Sequence, residues 1–107
     1  MRKIGKKSVL YIDTSDNRKI MLSLVTDGKK STLTDSSHTA TSQKLLNSIE
    51  SLFKKNKLTV DAISEIHVNS GPGSFTGLRV GIAVANTLGW LLGIKVNGKR
   101  EIVEPIY

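Results

Sequence analysis

The sequence contains no cysteine, which excludes disulfides, thiolate nucleophiles and cysteine-built zinc or iron–sulfur centres. Its only histidines, His38 and His67, are far apart in the chain and leave little for a transition-metal site. Aromatic residues make up 5% of the chain and do not interleave with the basic ones, so a base-stacking surface for reading nucleic acid is not encoded. A membrane span needs about 20 apolar residues. The longest uncharged stretch, Val80 to Ile94, is too closely bracketed by Arg79 and Lys95 to qualify. The basic N-terminus leads into an apolar run broken by Asp13 and Asp16, a poor secretory signal. These absences predict a soluble, cytoplasmic protein with no membrane contact. Carboxylates are also in the minority, 9 against 16 lysines and arginines, for a net charge of +7. That surplus permits an anionic partner without proving one. No two carboxylates stand at motif spacing, which argues against a paired-carboxylate hydrolase.

What is present is one domain's worth of chain, 107 residues, with an α/β order. Ser8 to Thr14 is apolar and β-branched and predicts a buried central strand. Lys19 to Thr26 predicts a second strand, and Asp27-Gly28 a hairpin turn into a polar edge strand over Lys29 to Asp35. From Thr41 the period changes. Leu45, Leu46, Ile49, Leu52 and Phe53 recur at three- and four-residue spacing, one face of a helix capped by Thr39, Thr41 or Ser42. A strand over Glu65 to Asn69, a helix over Phe75 to Leu92 and a short strand over Ile94 to Asn97 follow. Crossovers through helices imply that the later strands pair in parallel. Residues 98–107 read as an arm or a further short strand.

The most specific local signal is Ser70-Gly71-Pro72-Gly73-Ser74-Phe75-Thr76-Gly77, a glycine-rich turn opening the second helix. Backbone N–H groups at such a turn can hold an anion. Yet no Lys-Ser or Lys-Thr pair follows, three residues rather than two separate Gly73 from Gly77, and Pro72 removes a donor. The turn therefore reads as structural or interfacial, with anion binding by Asp13, Thr14, Ser15, Gly71, Gly73 and Ser74 as the alternative. Asp13 could orient a water or magnesium ion, or Asp13-Thr14-Ser15 could simply close a turn. Ser74 has no Asp–His pair placed to activate it and reads as a helix cap. His38 lies in a polar loop and reads as capping or solvated, and His67 as a strand residue.

The second helix carries a stripe of small residues, Gly77, Gly81, Ala85, Gly89 and Gly93, every fourth position. Each internal glycine costs about 1 kcal/mol against alanine, so a row of them signals close approach by another backbone. Apolar residues cover most of the remaining circumference. Only Arg79 and Asn86 are clearly polar, near one line with Trp90. The sheet supplies one neighbour. Another polypeptide is the preferred second one, with internal burial the alternative. On this reading arginine at Gly81 or Ala85 breaks a partner contact and leaves the chain folded.

These residues carry a resemblance. Val9-Leu10-Tyr11-Ile12-Asp13-Thr14-Ser15, His38-Thr39-Ala40-Thr41-Ser42-Gln43-Lys44-Leu45-Leu46 and Ser70-Gly71-Pro72-Gly73-Ser74-Phe75-Thr76-Gly77-Leu78-Arg79-Val80-Gly81 resemble the first strand, first helix and glycine-turn hallmark of the TsaB (YeaZ) family. The similarity covers residues 8–97, the family's N-terminal domain, and Pro105-Ile106-Tyr107 is similar to its C-terminal strand, as in a reduced form. It implies half of an actin-like, Hsp70-like (ribonuclease H-like) ATPase fold, with a mixed five-stranded sheet and two main helices. It further implies a non-catalytic scaffold that binds a TsaD-type transferase in forming threonylcarbamoyladenosine in tRNA. The contact positions it suggests are Leu45, Leu46, Ile49, Leu52, Gly77, Leu78, Gly81, Ile82, Ala85, Leu88 and Gly89. Without a second lobe no cleft closes over ATP, so no cofactor and no metal are expected. A homodimer when alone and a weak or indirect tRNA contact complete the expectation. The competing functions are a nucleotide hydrolase or peptidase-type enzyme and an RNA-binding module.

Overall fold

A computed structural model describes residues 7–16, 18–36, 41–99 and 102–106. The strands are β1 (Ser8–Asp13), β2 (Ile20–Thr26), β3 (Lys29–Asp35), β4 (Ile63–Val68) and β5 (Lys95–Val96), and the helices are α1 (Ser42–Lys55) and α2 (Phe75–Leu92). They form a five-stranded sheet in the order β3-β2-β1-β4-β5. β1 pairs antiparallel with β2 and β2 with β3, whereas β4 lies parallel to β1 and β5 parallel to β4. The mixed sheet and two helices match the expectation. The hairpin turn forms at Asp27 and Gly28, both at positive φ (51° and 75°). This is the left-handed conformation that a two-residue hairpin needs and that Asp-Gly supplies at low cost.

β1 is central, as expected, but it is not buried on both faces. Ser8, Leu10 and Ile12 point under the helices, while Tyr11 on the opposite face is 43% exposed. The same alternation runs through β2, where Ile20, Leu22 and Leu24 are buried and Met21 is exposed. Both helices pack on one face of the sheet, so strand side chains divide by parity rather than all turning inward. The core between sheet and helices joins these residues to Leu45, Ile49, Leu52 and Phe53 of α1 and Leu78, Ile82 and Ala85 of α2.

α1 begins at Thr41, whose hydroxyl accepts from the Lys44 N–H at 3.2 Å, satisfying one of the helix's orphan donors. Of the three expected caps, Thr39 lies outside the described residues, as do His38 and Ala40. α2 spans Phe75–Leu92 as expected and stops at Gly93, where φ is 65° and the Ile94 N–H reaches back to the Gly89 carbonyl at 3.0 Å, a left-handed C-terminal cap. By length and composition alone α2 could cross a membrane, with a mean hydropathy of 1.3, but it lies on the sheet as a core helix. β4 begins at Ile63, two residues earlier than expected, because the short 3₁₀ turn Val60–Ala62 feeds it directly. Residues 102–106 add no strand. They run as an arm along α2, where Asn86 donates to the Val103 carbonyl at 2.9 Å and accepts from the Val103 N–H at 3.0 Å.

Candidate functional site

The fold gathers Asp13, Thr14, Ser15, Gly71, Gly73 and Ser74 where β1 ends and α2 begins. The chain between β4 and α2 makes a tight turn that includes a cis Gly71–Pro72 peptide. Ser74 caps α2, its hydroxyl accepting from the Gly77 N–H at 3.2 Å. The Ser74 N–H donates to the Ser15 carbonyl at 2.8 Å, and the Gly71 N–H to the Asn69 side chain at 3.0 Å. Three backbone donors that would face an anion are thus engaged in closing the turn. The glycines serve the same closure. A Cβ at Gly73 would lie 2.7 Å from Ser15 Cβ, and one at Gly71 would lie 1.8 Å from the Ile106 carbonyl oxygen of the arm. Thr14 is fully buried and donates its hydroxyl to the Gly77 carbonyl at 2.6 Å, so it seals the helix against β1 and faces no solvent.

Asp13 sits at the rim of this turn. Its carboxylate accepts the Ser15 N–H at 2.9 Å and the Ser15 hydroxyl at 2.6 Å. Burial pushes its pKa up, but the Ser15 hydroxyl, the Ser15 N–H and the Asn69 amide together outweigh that and hold it below the ordinary value of 3.8. A permanent negative charge beside the turn works against a second anion there.

The small-residue stripe turns toward the sheet. A Cβ at Gly81 would stand 2.3 Å from Thr14 Oγ1, and one at Gly89 would stand 2.5 Å from Val96 Cγ2. The close neighbours of the stripe are therefore β1 and β5 of the same chain. Leu45, Ile49 and Leu52 of α1 and Gly77, Leu78, Gly81, Ile82, Ala85 and Gly89 of α2 are all buried within the monomer. Within the single chain they are core positions. Arginine at Gly81 or Ala85 would disrupt the fold itself. Of the expected contact set, Leu46 (44% exposed) and the partly buried Leu88 reach the surface.

The outward side of α2 carries a different apolar set. Trp90 is 82% exposed, Leu91 63% and Phe75 57%. Between α1 and α2 runs a groove of about 350 Å³ lined by Ser42, Leu46, Ala83, Val84, Thr87, Leu88 and Leu91. Thr87 bonds its hydroxyl back to the Ala83 carbonyl at 2.8 Å, which satisfies its polar atom inside the helix. Arg79 lies over the Phe75 ring at 5.3 Å, a cation–π contact that leaves the guanidinium in solvent. The signal that marks this stripe in the sequence is complementary to the glycines. Once Gly81 and Ala85 face inward, Arg79, Ala83 and Trp90 must face outward.

The helix-free face of the sheet holds a second cluster. Tyr11 and His67 stack at 5.1 Å, His67 Nε2 lies 3.3 Å from Glu65, and Lys7 pairs with Glu65 at 3.4 Å. His67 is thus the partly exposed strand residue expected. Among the described residues no three His, Cys, Asp or Glu side chains come together as a metal site would require.

Residues 33–98 match the family model described as TsaD, tRNA N6-adenosine threonylcarbamoyltransferase. The tRNA threonylcarbamoyladenosine biosynthesis protein TsaB of Bacillus subtilis is 35% identical over 54 residues, which cover 50% of this chain and 24% of that protein. TsaB of Buchnera aphidicola subsp. Baizongia pistaciae is 33% identical over 79 residues, 74% of this chain and 35% of that protein. The solved structure of YeaZ from Pseudomonas aeruginosa superposes with a TM-score of 0.76 at 27% identity, covering 84% of this chain and 41% of that one. The chain thus spans about a quarter to a third of the length of these curated relatives. The sheet order and the YeaZ likeness give it the actin-like, ribonuclease H-like ATPase fold. It belongs to the family that the TsaD model describes, and within that family it is a TsaB (YeaZ) member of partial length.

Proposed function

We propose that the chain serves tRNA threonylcarbamoyladenosine formation as a non-catalytic scaffold that binds a TsaD-type transferase through the outward stripe of α2 and its groove with α1. The observation that carries this reading is the apolar groove between α1 and α2 that Leu46 and Leu91 line, with Trp90 and Phe75 exposed on α2 outside it. Burying each such side chain against a partner contributes about 1.5–3 kcal/mol, and aromatic anchors in a groove are the usual centres of binding energy. The names of the TsaB relatives supply the pathway. The reading gives the chain no chemical step and no nucleotide cofactor, in keeping with the engaged donors of the glycine turn and the ionised Asp13 beside it. In the transferase's absence the same stripe pairs two copies of this chain.

The test is co-expression with the transferase of the same organism, using Trp90→Glu/Leu91→Glu. Both positions are exposed, so the circular dichroism spectrum and melting temperature stay close to the parent's. The co-purified complex and the modified nucleoside in tRNA are both expected to be lost. Undiminished complex and modification with this variant would falsify the assignment.

A further inference from the structure

The charge surplus is not spread evenly. The C-terminal end of α1 carries Lys54 and Lys55, with Lys57 just beyond it, and the β2–β3 hairpin carries Lys29 and Lys30. The fold brings these two places together. Asn56, the residue after α1, donates its amide to Ser31 Oγ at 3.2 Å. In the β2–β3 register Lys29 lies opposite Thr26 and Ser31 opposite Leu24, so Lys29 and Ser31 share the helix-side face. Lys30 flanks the same corner from the other face.

These lysines are not needed to satisfy the end of α1. The last α1 carbonyls already have partners: Leu52 accepts the Asn56 amide at 2.8 Å, Phe53 the Leu58 N–H at 2.9 Å and Lys54 the Lys57 N–H at 3.0 Å. The Lys54–Glu50 ion pair at the corner is exposed, at 3.5 Å, a class worth little. Asp27 is the nearby carboxylate of the hairpin. The groups between the lysines on the helix side are a hydroxyl and an amide, Ser31 and Asn56. The large exposed apolar side chains lie elsewhere, on α2, near the start of α1, on the arm and on the outer sheet face, so no large apolar side chain at the corner would enter a lipid bilayer.

We infer that this corner docks the phosphate backbone of RNA, without reading its sequence. Lysines supply charge, and the short polar side chains between them supply donors to phosphate and ribose. The identification of RNA over other polyanions rests on the tRNA-modifying role proposed above. The corner lies at the far end of α1 from Ser42 and Leu46, so one chain would hold transferase and RNA on separate surfaces.

The test compares Lys29→Glu/Lys55→Glu with the charge-matched Lys95→Glu/Lys99→Glu at the opposite edge of the sheet. Binding of an unmodified tRNA transcript is followed by fluorescence anisotropy over a salt series. The corner variant is expected to lose affinity about tenfold at low salt, with the slope of log K against log salt falling by about one per lysine removed. The control variant is expected to stay near the parent. Equal losses in both variants would mean net charge alone and overturn the inference. So would unchanged binding in the corner variant, or attachment to phosphatidylserine vesicles without attachment to RNA. Transferase co-purification is measured on the same variants. Loss of the complex in the corner variant would assign the corner to the protein interface and overturn the inference. A parent chain that binds RNA at the corner but not the transferase would overturn the scaffold reading alone.

Discussion

Gly81→Ala is an informative single substitution in this chain because two physical arguments predict opposite signs. In an isolated helix, alanine is better than glycine by about 1 kcal/mol. In this fold the new methyl would lie 2.3 Å from Thr14 Oγ1 and 3.6 Å from Ile12 Cγ2. Thr14 is β-branched and fully buried, so it has few rotamers in which to retreat. Overpacking of this kind costs about 1–3 kcal/mol. Turning Thr14 away would also break its hydrogen bond to the Gly77 carbonyl and strand a buried hydroxyl, at about 1–3 kcal/mol more. Against the helix gain, the net expectation is a destabilisation of about 2–3 kcal/mol. For a domain of this size that lowers the melting temperature by roughly 10–20 °C. Urea and thermal unfolding followed by circular dichroism measure it. The double variant Gly81→Ala/Thr14→Ala removes the obstacle and should recover part of the loss, a coupling of about 1–2 kcal/mol. If Gly81→Ala proved as stable as the parent or more so, the helix would not be seated on β1 as described. The assignment of the small-residue stripe to internal packing would then fall.

Two further predictions follow from named contacts. Asn86→Leu removes both hydrogen bonds to Val103; amide exchange at Val103 should accelerate and the arm should become the first site of proteolysis, with about 1–2 kcal/mol of stability lost. Unchanged protection at Val103 would show that Asn86 does not hold the arm. Asp13, with its folded pKa below 3.8, contributes stability that is fully present above that value and is lost as pH falls through the lower folded value. Asp13→Asn should therefore flatten the acid limb of the stability profile below about pH 4, and an unaltered acid limb would refute the assigned role of the Ser15 and Asn69 hydrogen bonds.

Much of the fold was legible because it is written in local patterns. The β-branched run of β1 predicts a central strand, Asp27-Gly28 predicts its own hairpin, and the spacing of Leu45, Ile49, Leu52 and Phe53 predicts the buried face of α1. The glycine stripe of α2 was legible as a sign of close approach, but not in direction. A row of small residues says that a backbone or a packed side chain comes near, and not whose it is. Here Thr14 and Val96 fill the space, so the sheet takes the stripe and the outer side of the helix is left to Trp90 and Leu91. The bond between Asn86 and Val103 spans 17 residues and follows no local period. The engagement of the turn's donors was illegible for the same reason, since the Ser74 N–H finds its acceptor on Ser15, far back in the chain.

The two edges of the sheet have unequal consequences for self-association. Val96 exchanges backbone hydrogen bonds with Lys99 at 2.9 and 3.0 Å, and Asn97 turns its side chain to both the N–H and the carbonyl of Val68. The β5 side is therefore closed upon itself after a strand of two residues. β3 ends the sheet on the other side and is seven residues long, with no strand among the described residues on its outer side. Edges that can recruit a neighbour at both ends of a sheet lead to open-ended stacking. A sheet with one such edge stops after a single event, in a twofold pair of continuous sheets. Strand pairing by itself thus joins two copies of this chain and offers no further sheet edge for a third.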